Sequence, residues 1–206
     1  IMAKLCMTGA ASELHFPVAQ VLARSICLTD EAQPQMILLQ YLQQLLDGIG
    51  DEALGRIAQS LVYAVECDDI CRGNYTQTLQ LLRACLPGIV DQMAGAVLGA
   101  LVQLLHKTPS NDHGEVLCLM IDIARTKTPS QAGIENAVDS MAEVLCWRRL
   151  KPLHQELALQ FISLNLTQVS LEACAEMIDK LKNALTRQSI HLQNIPLVEQ
   201  IIDRVG

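Results

Sequence analysis

The sequence predicts an all-α fold of about ten amphipathic helices, arranged as antiparallel pairs stacked one upon the next. Three observations carry this. Apolar residues recur at steps of three and four in successive blocks, each bounded by Pro, Gly, Asn or an acidic pair. Taken in pairs, the blocks begin near Ser12, Asp51, Gly88, Pro129 and Leu171, a step of about forty residues, the length of two helices with their turns. Half of the residues are hydrophobic but only 3% are aromatic, and no run alternates as a half-buried strand would. Leu, Ile, Val, Ala, Met and Cys must therefore fill a core of helices packed closely on helices.

The first pair reads as residues 12–28 and 34–48, divided by Thr29-Asp30-Glu31, where carboxylates suit a helix N-terminus and Pro34 suits the first turn. Leu38, Leu42, Leu45 and Ile49 predict its buried stripe, with Gln33, Gln40, Gln43 and Gln44 opposite. In the second pair Leu54, Ile57, Leu61 and Val65 mark one helix and Leu79, Leu82 and Leu86 the next, broken at Asp68-Asp69 and Gly73-Asn74. The third carries Ile89, Met93, Val97, Leu101 and Leu104, with Gly95 and Gly99 allowing close helix approach. Val116 to Ile121 is apolar all round, as expected of a helix covered on several sides.

Lys107-Thr108-Pro109-Ser110 and Lys127-Thr128-Pro129-Ser130 stand twenty residues apart, each ahead of a new apolar block. Pro in the first turn with a hydroxyl cap beside it explains both; Thr108-Pro and Thr128-Pro also match a kinase site. Ile134, Val138, Met141 and Leu145 mark the next helix, and Leu153, Leu157, Phe161 and Leu164 its partner. The fifth pair opens on a Ser170 cap and a seam of Leu171, Cys174, Ile178, Leu181 and Leu185, and closes with Leu197, Ile201 and Val205 behind Asn194-Ile195-Pro196. No composition shift marks a linker, so residues 1–206 read as a single helical domain, and an opening on Ile1-Met2 with the helical pattern already under way suggests a piece of a longer protein.

A net charge of -7 and a pI near 5.2 disfavour a nucleic-acid surface, which needs many Lys and Arg to displace counterions. The imbalance lies mostly in residues 1–103, with 5 basic and 10 acidic side chains against 10 and 12 in residues 104–206. Five of the eight cysteines, Cys27, Cys85, Cys118, Cys146 and Cys174, fall within or at the end of apolar blocks. They read as reduced core thiols of a reducing compartment, cytoplasm or nucleus. Asn74-Tyr75-Thr76 and Asn165-Leu166-Thr167 match the glycosylation triplet but read as turn and cap residues there. The longest apolar stretch, residues 94–102, is far short of the ~20 residues of a membrane span.

No catalytic, metal or nucleotide motif is expected, and no cofactor. His15, His106, His113, His154 and His191 are scattered, Cys67-x3-Cys71 lacks a second local pair, and His113-x4-Cys118 is the nearest other grouping. Asp30-Glu31, Asp51-Glu52 and Asp68-Asp69 fit helix-dipole positions better than acid-base chemistry. Gly48-x-Gly50 lacks the rest of a phosphate fingerprint. The one cluster of interface-type residues is Trp147, Arg148, Arg149, Lys151 and His154, read either as a partner contact or as Trp packed on the next pair with the arginines capping carbonyls.

With helix pairs, a unit of about forty residues and Leu-dominated seams, the whole chain resembles the HEAT and armadillo class of helical repeats. That resemblance implies a short solenoid serving as a scaffold in larger assemblies, such as nuclear repair, transport or RNA-processing complexes. The expected function is thus a non-enzymatic protein-interaction module that docks a partner helix, a second helical-repeat subunit or its own copy in a groove lined by successive second helices. The alternatives are a nucleic-acid-associated subunit using Arg148, Arg149, Lys151, Lys180, Lys182 and Arg187 along one edge, and a cysteine-dependent enzyme.

Overall fold

The computed structural model describes residues 12–47, 49–147 and 150–205, with the backbone alone for residues 12–16. Among these residues every regular element is helical. The ten α-helices are α1 (Ser12–Ile26), α2 (Ala32–Leu45), α3 (Asp51–Glu66), α4 (Tyr75–Ala84), α5 (Asp91–Lys107), α6 (His113–Thr126), α7 (Gln131–Val144), α8 (Pro152–Asn165), α9 (Leu171–Thr186) and α10 (Ile195–Val205). Helices α3, α5, α7 and α9 begin at Asp51, Asp91, Gln131 and Leu171, forty residues apart each time.

The chain divides into two compact units, Ile1–Met93 and Ala94–Gly206. In the first, α1 packs on α2 and α3, α2 on α4, and α3 on α4 and on the 3-10 turn Leu86–Gly88. In the second, α6 packs on α8, α7 on α8 and α9, and α10 on α8 and α9. Helices α1 to α4 and α7 to α10 thus each meet both a neighbour and a next-but-one neighbour, which requires two apolar flanks rather than one. Leu54, Ile57, Leu61 and Val65 of α3, and Ile134, Val138 and Met141 of α7 with Leu145 just beyond it, are buried as their spacing predicts.

Three helices are turned relative to the Leu-based stripes. In α2 the buried face is Gln35, Leu39, Leu42 and Leu45, not one through Leu38. In α8 it is His154, Gln155, Ala158, Leu159, Phe161, Ile162 and Asn165, leaving Leu153 and Leu164 exposed. In α9 it is Cys174, Met177, Leu181 and Ala184, with Leu171 86% exposed. The cause is the same in α2 and α8. A glutamine occupies the buried face, where it pairs with loop groups that burial would otherwise leave unsatisfied.

Those glutamines build one clamp in each unit. Gln35 Nε2 donates to the carbonyls of Ile26 (3.2 Å), Thr29 (3.1 Å) and Asp69 (2.7 Å), while its Oε1 accepts from the Cys71 amide (2.8 Å) and from Asn74 Nδ2 (3.0 Å). Asn74 Nδ2 also reaches the Ala32 carbonyl at 2.9 Å. In the second unit Gln155 Nε2 donates to Ser189 O (2.7 Å), Gln155 Oε1 accepts from the His191 amide (2.9 Å) and Asn194 Nδ2 (3.3 Å), and Asn194 Nδ2 reaches Pro152 O at 2.8 Å. Every member of the second clamp lies 120 residues after its counterpart. Both glutamines are fully buried, so each clamp ties the second helix of one pair to the loop of the next through groups water cannot reach.

The loops held by the clamps share a backbone as well. After α3, the Asp68 amide donates to Val65 O and the Asp69 amide to Ala64 O; after α9, Gln188 donates to Leu185 O and Ser189 to Ala184 O. These are Schellman endings, with Asp68 (φ 62°) and Gln188 (φ 53°) in the left-handed region usually held by glycine. Asp68-Asp69 therefore lies at a helix C-terminus, not at the helix start expected from sequence. Gln188→Gly should raise the unfolding free energy of the second unit by about 1 kcal/mol by removing the Cβ penalty of that conformation, as read from a urea midpoint.

The capping expectations divide. Ser170 Oγ accepts from the Ala173 amide and Ser130 Oγ from the Gly133 amide, both at 3.3 Å. Pro129 precedes the Ser130 cap, and Pro109 lies in the turn ahead of Asp112, so neither proline occupies the first helical turn. Gly95 lies against Gly133, where a Cβ would stand 3.4 Å from the Gly133 Cα, whereas nothing approaches Gly99. Asn74 and Asn165 are buried, Asn165 donating to Phe161 O at 2.7 Å.

Candidate functional site

Trp147 follows α7 in a tight turn, its amide donating to Val144 O at 3.0 Å and its carbonyl accepting from Leu150 at 3.2 Å. The half-buried indole meets His106, at the end of α5, edge-on with centroids 4.7 Å apart, and His113, at the start of α6, at 6.4 Å. His113 in turn lies 6.1 Å from His154 in the first turn of α8. Three histidines from three different helices thus form a row with the only tryptophan of the chain. Gly114 makes room for it, since a Cβ there would stand 3.1 Å from His154 Nε2.

His113 and His154 are 8% and 6% exposed. His113 Nε2 meets the Thr108 carbonyl at 3.2 Å, while both Nδ1 atoms and the Thr108 hydroxyl are buried without a hydrogen-bond partner. Burial is the main cause holding both imidazoles below their ordinary titration range. The Lys151 charge acts in the same sense on both, as does His113 on His154 and His106 on His113, against the Thr108 carbonyl and Asp112, which favour the charged form of His113. Neutral imidazoles pack as flat apolar plates; charged ones would each need a partner this row does not supply.

A pH dependence follows from those directions. A histidine whose folded-state pKa is depressed contributes its full stability above the unfolded value near 6.5 and loses it as the pH falls through the lower folded value. The second unit should lose stability below about pH 6.5, and Trp147 emission should change over that same interval. His154→Leu should flatten both curves. Identical pH profiles for the variant and the natural protein would contradict a role for this row.

Of the five residues expected from sequence to form a contact, Trp147 and Lys151 lie on this corner. Lys151 is exposed, caps α8 and donates from Nζ to Asn111 Oδ1 at 2.7 Å. His154 is at the same corner but inside it, supporting the indole through His113 rather than facing outward. Arg148 and Arg149 lie outside the described residues, as does Gly48. Of the proposed basic edge, Lys180 is paired with Asp139, and Lys180 and Arg187 both act on Cys146. His106 and His113 were the residues sequence reasoning missed. Lying 41 and 34 positions from Trp147, they offer no local spacing to find them by.

The Cys146 thiol beside Trp147 donates weakly to the carbonyls of Ala142 (3.7 Å) and Lys180 (3.8 Å), and burial raises its pKa. That suits a packed thiol rather than a nucleophile. Burial likewise pushes the Cys85 thiol to about 12. Among the described residues no three His, Cys, Asp or Glu side chains are arranged to hold a metal ion, and no helix is long and apolar enough to cross a membrane.

The clamped loops keep their backbone but exchange their surface chemistry. The loop after α3 lines a pocket of about 230 Å³ with Asp30, Asp68, Asp69, Cys27 and Cys71. The loop after α9 lines one of about 330 Å³ with Arg187, Gln188, Ser189 and His191. Buried clamp atoms are constrained by the hydrogen bonds they complete, whereas exposed corner residues are free to differ. The chain matches no known protein-family model, no curated protein and no solved structure.

Proposed function

We propose that the chain is a segment of a HEAT/armadillo-like helical solenoid and works as a non-enzymatic protein-interaction scaffold within a larger intracellular assembly. The observation that carries this reading is the forty-residue recurrence of helix starts together with next-but-one helix packing in each unit. A chain built this way gains stability from successive contacts of like elements and presents extended helix faces to partners. The clamp recurring at a 120-residue offset supports the same reading, because it holds equivalent loops while their exposed residues differ.

On this reading the Trp147 corner is a docking point. It combines a half-buried indole with the exposed Lys151, and the sequence places Arg148 and Arg149 between them. Trp and Arg concentrate binding energy where they are partly enclosed. The test is capture of partners from a cell extract, comparing the natural chain with a Trp147→Ala, Arg148→Glu, Arg149→Glu variant of unchanged helical circular dichroism. Loss of one defined protein partner is expected. Partners unchanged by the triple substitution would remove the corner from the reading, and capture of no partner would remove the scaffold.

A further inference from the structure

Helix α2 differs from the other nine described helices in carrying no charged side chain. Charged residues make up 18% of the chain, so a 14-residue helix would ordinarily hold about two or three. Charged residues concentrate on solvent-facing helix surfaces. Most of α2 is such a surface, since only Gln35, Leu39, Leu42 and Leu45 are buried. Its outer face consists of Gln33, Met36, Ile37, Gln40, Tyr41 and Gln44, all exposed. Gln33, Ile37, Gln40 and Gln44 follow one another at steps of four, three and four, the spacing of a seam that meets a second helix.

Charge returns only at the ends of α2, at Glu31 before it and Asp47 after it. The neighbouring α4, which packs on α2, adds Gln77 and Gln80 and has Arg83 as its one charged residue. The corresponding helices of the second unit are charged, α8 holding Glu156 and α10 holding Glu199, Asp203 and Arg204. The chemistry of the α2 face limits what covers it. Charged side chains brought against it would lose water and gain no opposite charge in return. Its amides are each donor and acceptor at once, so one glutamine can pair with another like itself. Such a pair already joins the two helices, where Gln77 Nε2 donates to Gln43 Oε1.

A face of amides and apolar side chains is complementary to a copy of itself, as a two-fold interface requires, whereas a charged face repels its copy. Two chains of net charge -7 also meet at least electrostatic cost through the one helix that carries none of it. We infer that α2 is a self-association surface, on which a second copy of the chain docks its own α2 with Ile37, Tyr41 and the glutamine seam at the contact. The footprint sets the strength. Its 14 residues make α2 about 21 Å long, and with α4 beside it the face is roughly 400 Å², half of the ~800 Å² per partner of a standard interface. Glutamines in the seam fix register at some loss of stability. The dissociation constant should therefore be on the order of 10–100 µM. Helix α2 belongs to the first unit and Trp147 to the second, and the inference does not rest on the docking role given to Trp147.

The test is sedimentation equilibrium of the full chain from about 1 to 500 µM, where a monomer–dimer equilibrium is expected. Ile37→Glu with Tyr41→Glu should weaken it about tenfold or more at unchanged helical circular dichroism, and Leu171→Glu, at an exposed position of α9, should leave it as it was. Gln40→Lys and Gln40→Glu should each associate less well alone and regain association when mixed, because the seam meets its own copy. A chain that stays monomeric throughout would overturn the inference. So would association indifferent to the double substitution, abolished by Leu171→Glu, or not rescued on mixing the Lys and Glu variants. A Gln40→Cys chain oxidised with diamide should cross-link two copies at position 40. A link to Cys6 of the same chain, mapped by mass spectrometry, would assign the face to residues 1–11 and overturn the inference too. Loss of extract partners on changing Trp147, with self-association intact, bears on the corner alone, so the two readings fail separately.

Discussion

Gln35→Ala is expected to lower the unfolding free energy of the first unit by about 4 kcal/mol, because each buried group deprived of its partner costs roughly 1–3 kcal/mol. The substitution leaves the carbonyls of Ile26, Thr29 and Asp69, the Cys71 amide and the Asn74 side chain without their shared partner. Against a typical domain stability of about 5–15 kcal/mol the loss is large. Gln155→Ala should cost less, about 3 kcal/mol, since Gln155 Nε2 serves one carbonyl where Gln35 serves three. Urea titration gives the magnitude, and amide exchange at Cys71 or His191 gives the location. A change under about 1 kcal/mol, or exchange that stays slow at those amides, would show that the clamps do not hold the loops.

Gly88→Ala should be comparably damaging for the opposite reason, excess volume rather than lost bonds. A Cβ on Gly88 would run into the Asp51 carbonyl and the Gly55 amide and stand 2.6 Å from the Leu54 Cβ; one on Gly55 would stand 2.5 Å from the Gly88 carbonyl. Backbone on both sides leaves nothing flexible to move aside, so the turn before α5 must separate from α3, at a cost of about 3 kcal/mol. Gly99→Ala is the control: nothing lies within 4 Å of that position, and replacing a mid-helix glycine should stabilise by up to about 1 kcal/mol. Thermal midpoints of the two variants separate steric exclusion from helix propensity. Equal behaviour of Gly88→Ala and Gly99→Ala would refute the close contact.

The pattern of apolar residues was enough to locate the helices, and the reason is local. A helix in a packed array buries a periodic face, and Leu54, Ile57, Leu61 and Val65 or Ile134, Val138, Met141 and Leu145 record that period in the chain itself. Ser170 was readable as a cap because its hydroxyl serves an amide only three residues away. The forty-residue step was readable for the same reason, since each pair repeats a similar run of turn and apolar residues.

The orientation of α2 and α8 was not readable, because Gln35 and Gln155 look like surface residues until their partners, up to 39 positions away, are known. Polar residues advertise burial only through the groups they satisfy. The Schellman turns were hidden because Asp68 and Gln188 stand where glycine would have signalled the ending. The corner was half visible: Trp147 and Lys151 are neighbours in sequence, but His106 and His113 reach the indole only when α5, α6 and α7 are packed. Periodicity, capping and composition act over a few residues and so are written along the chain. The clamps and the histidine row join residues from separate helices, and only folding brings such residues within hydrogen-bond or van der Waals range.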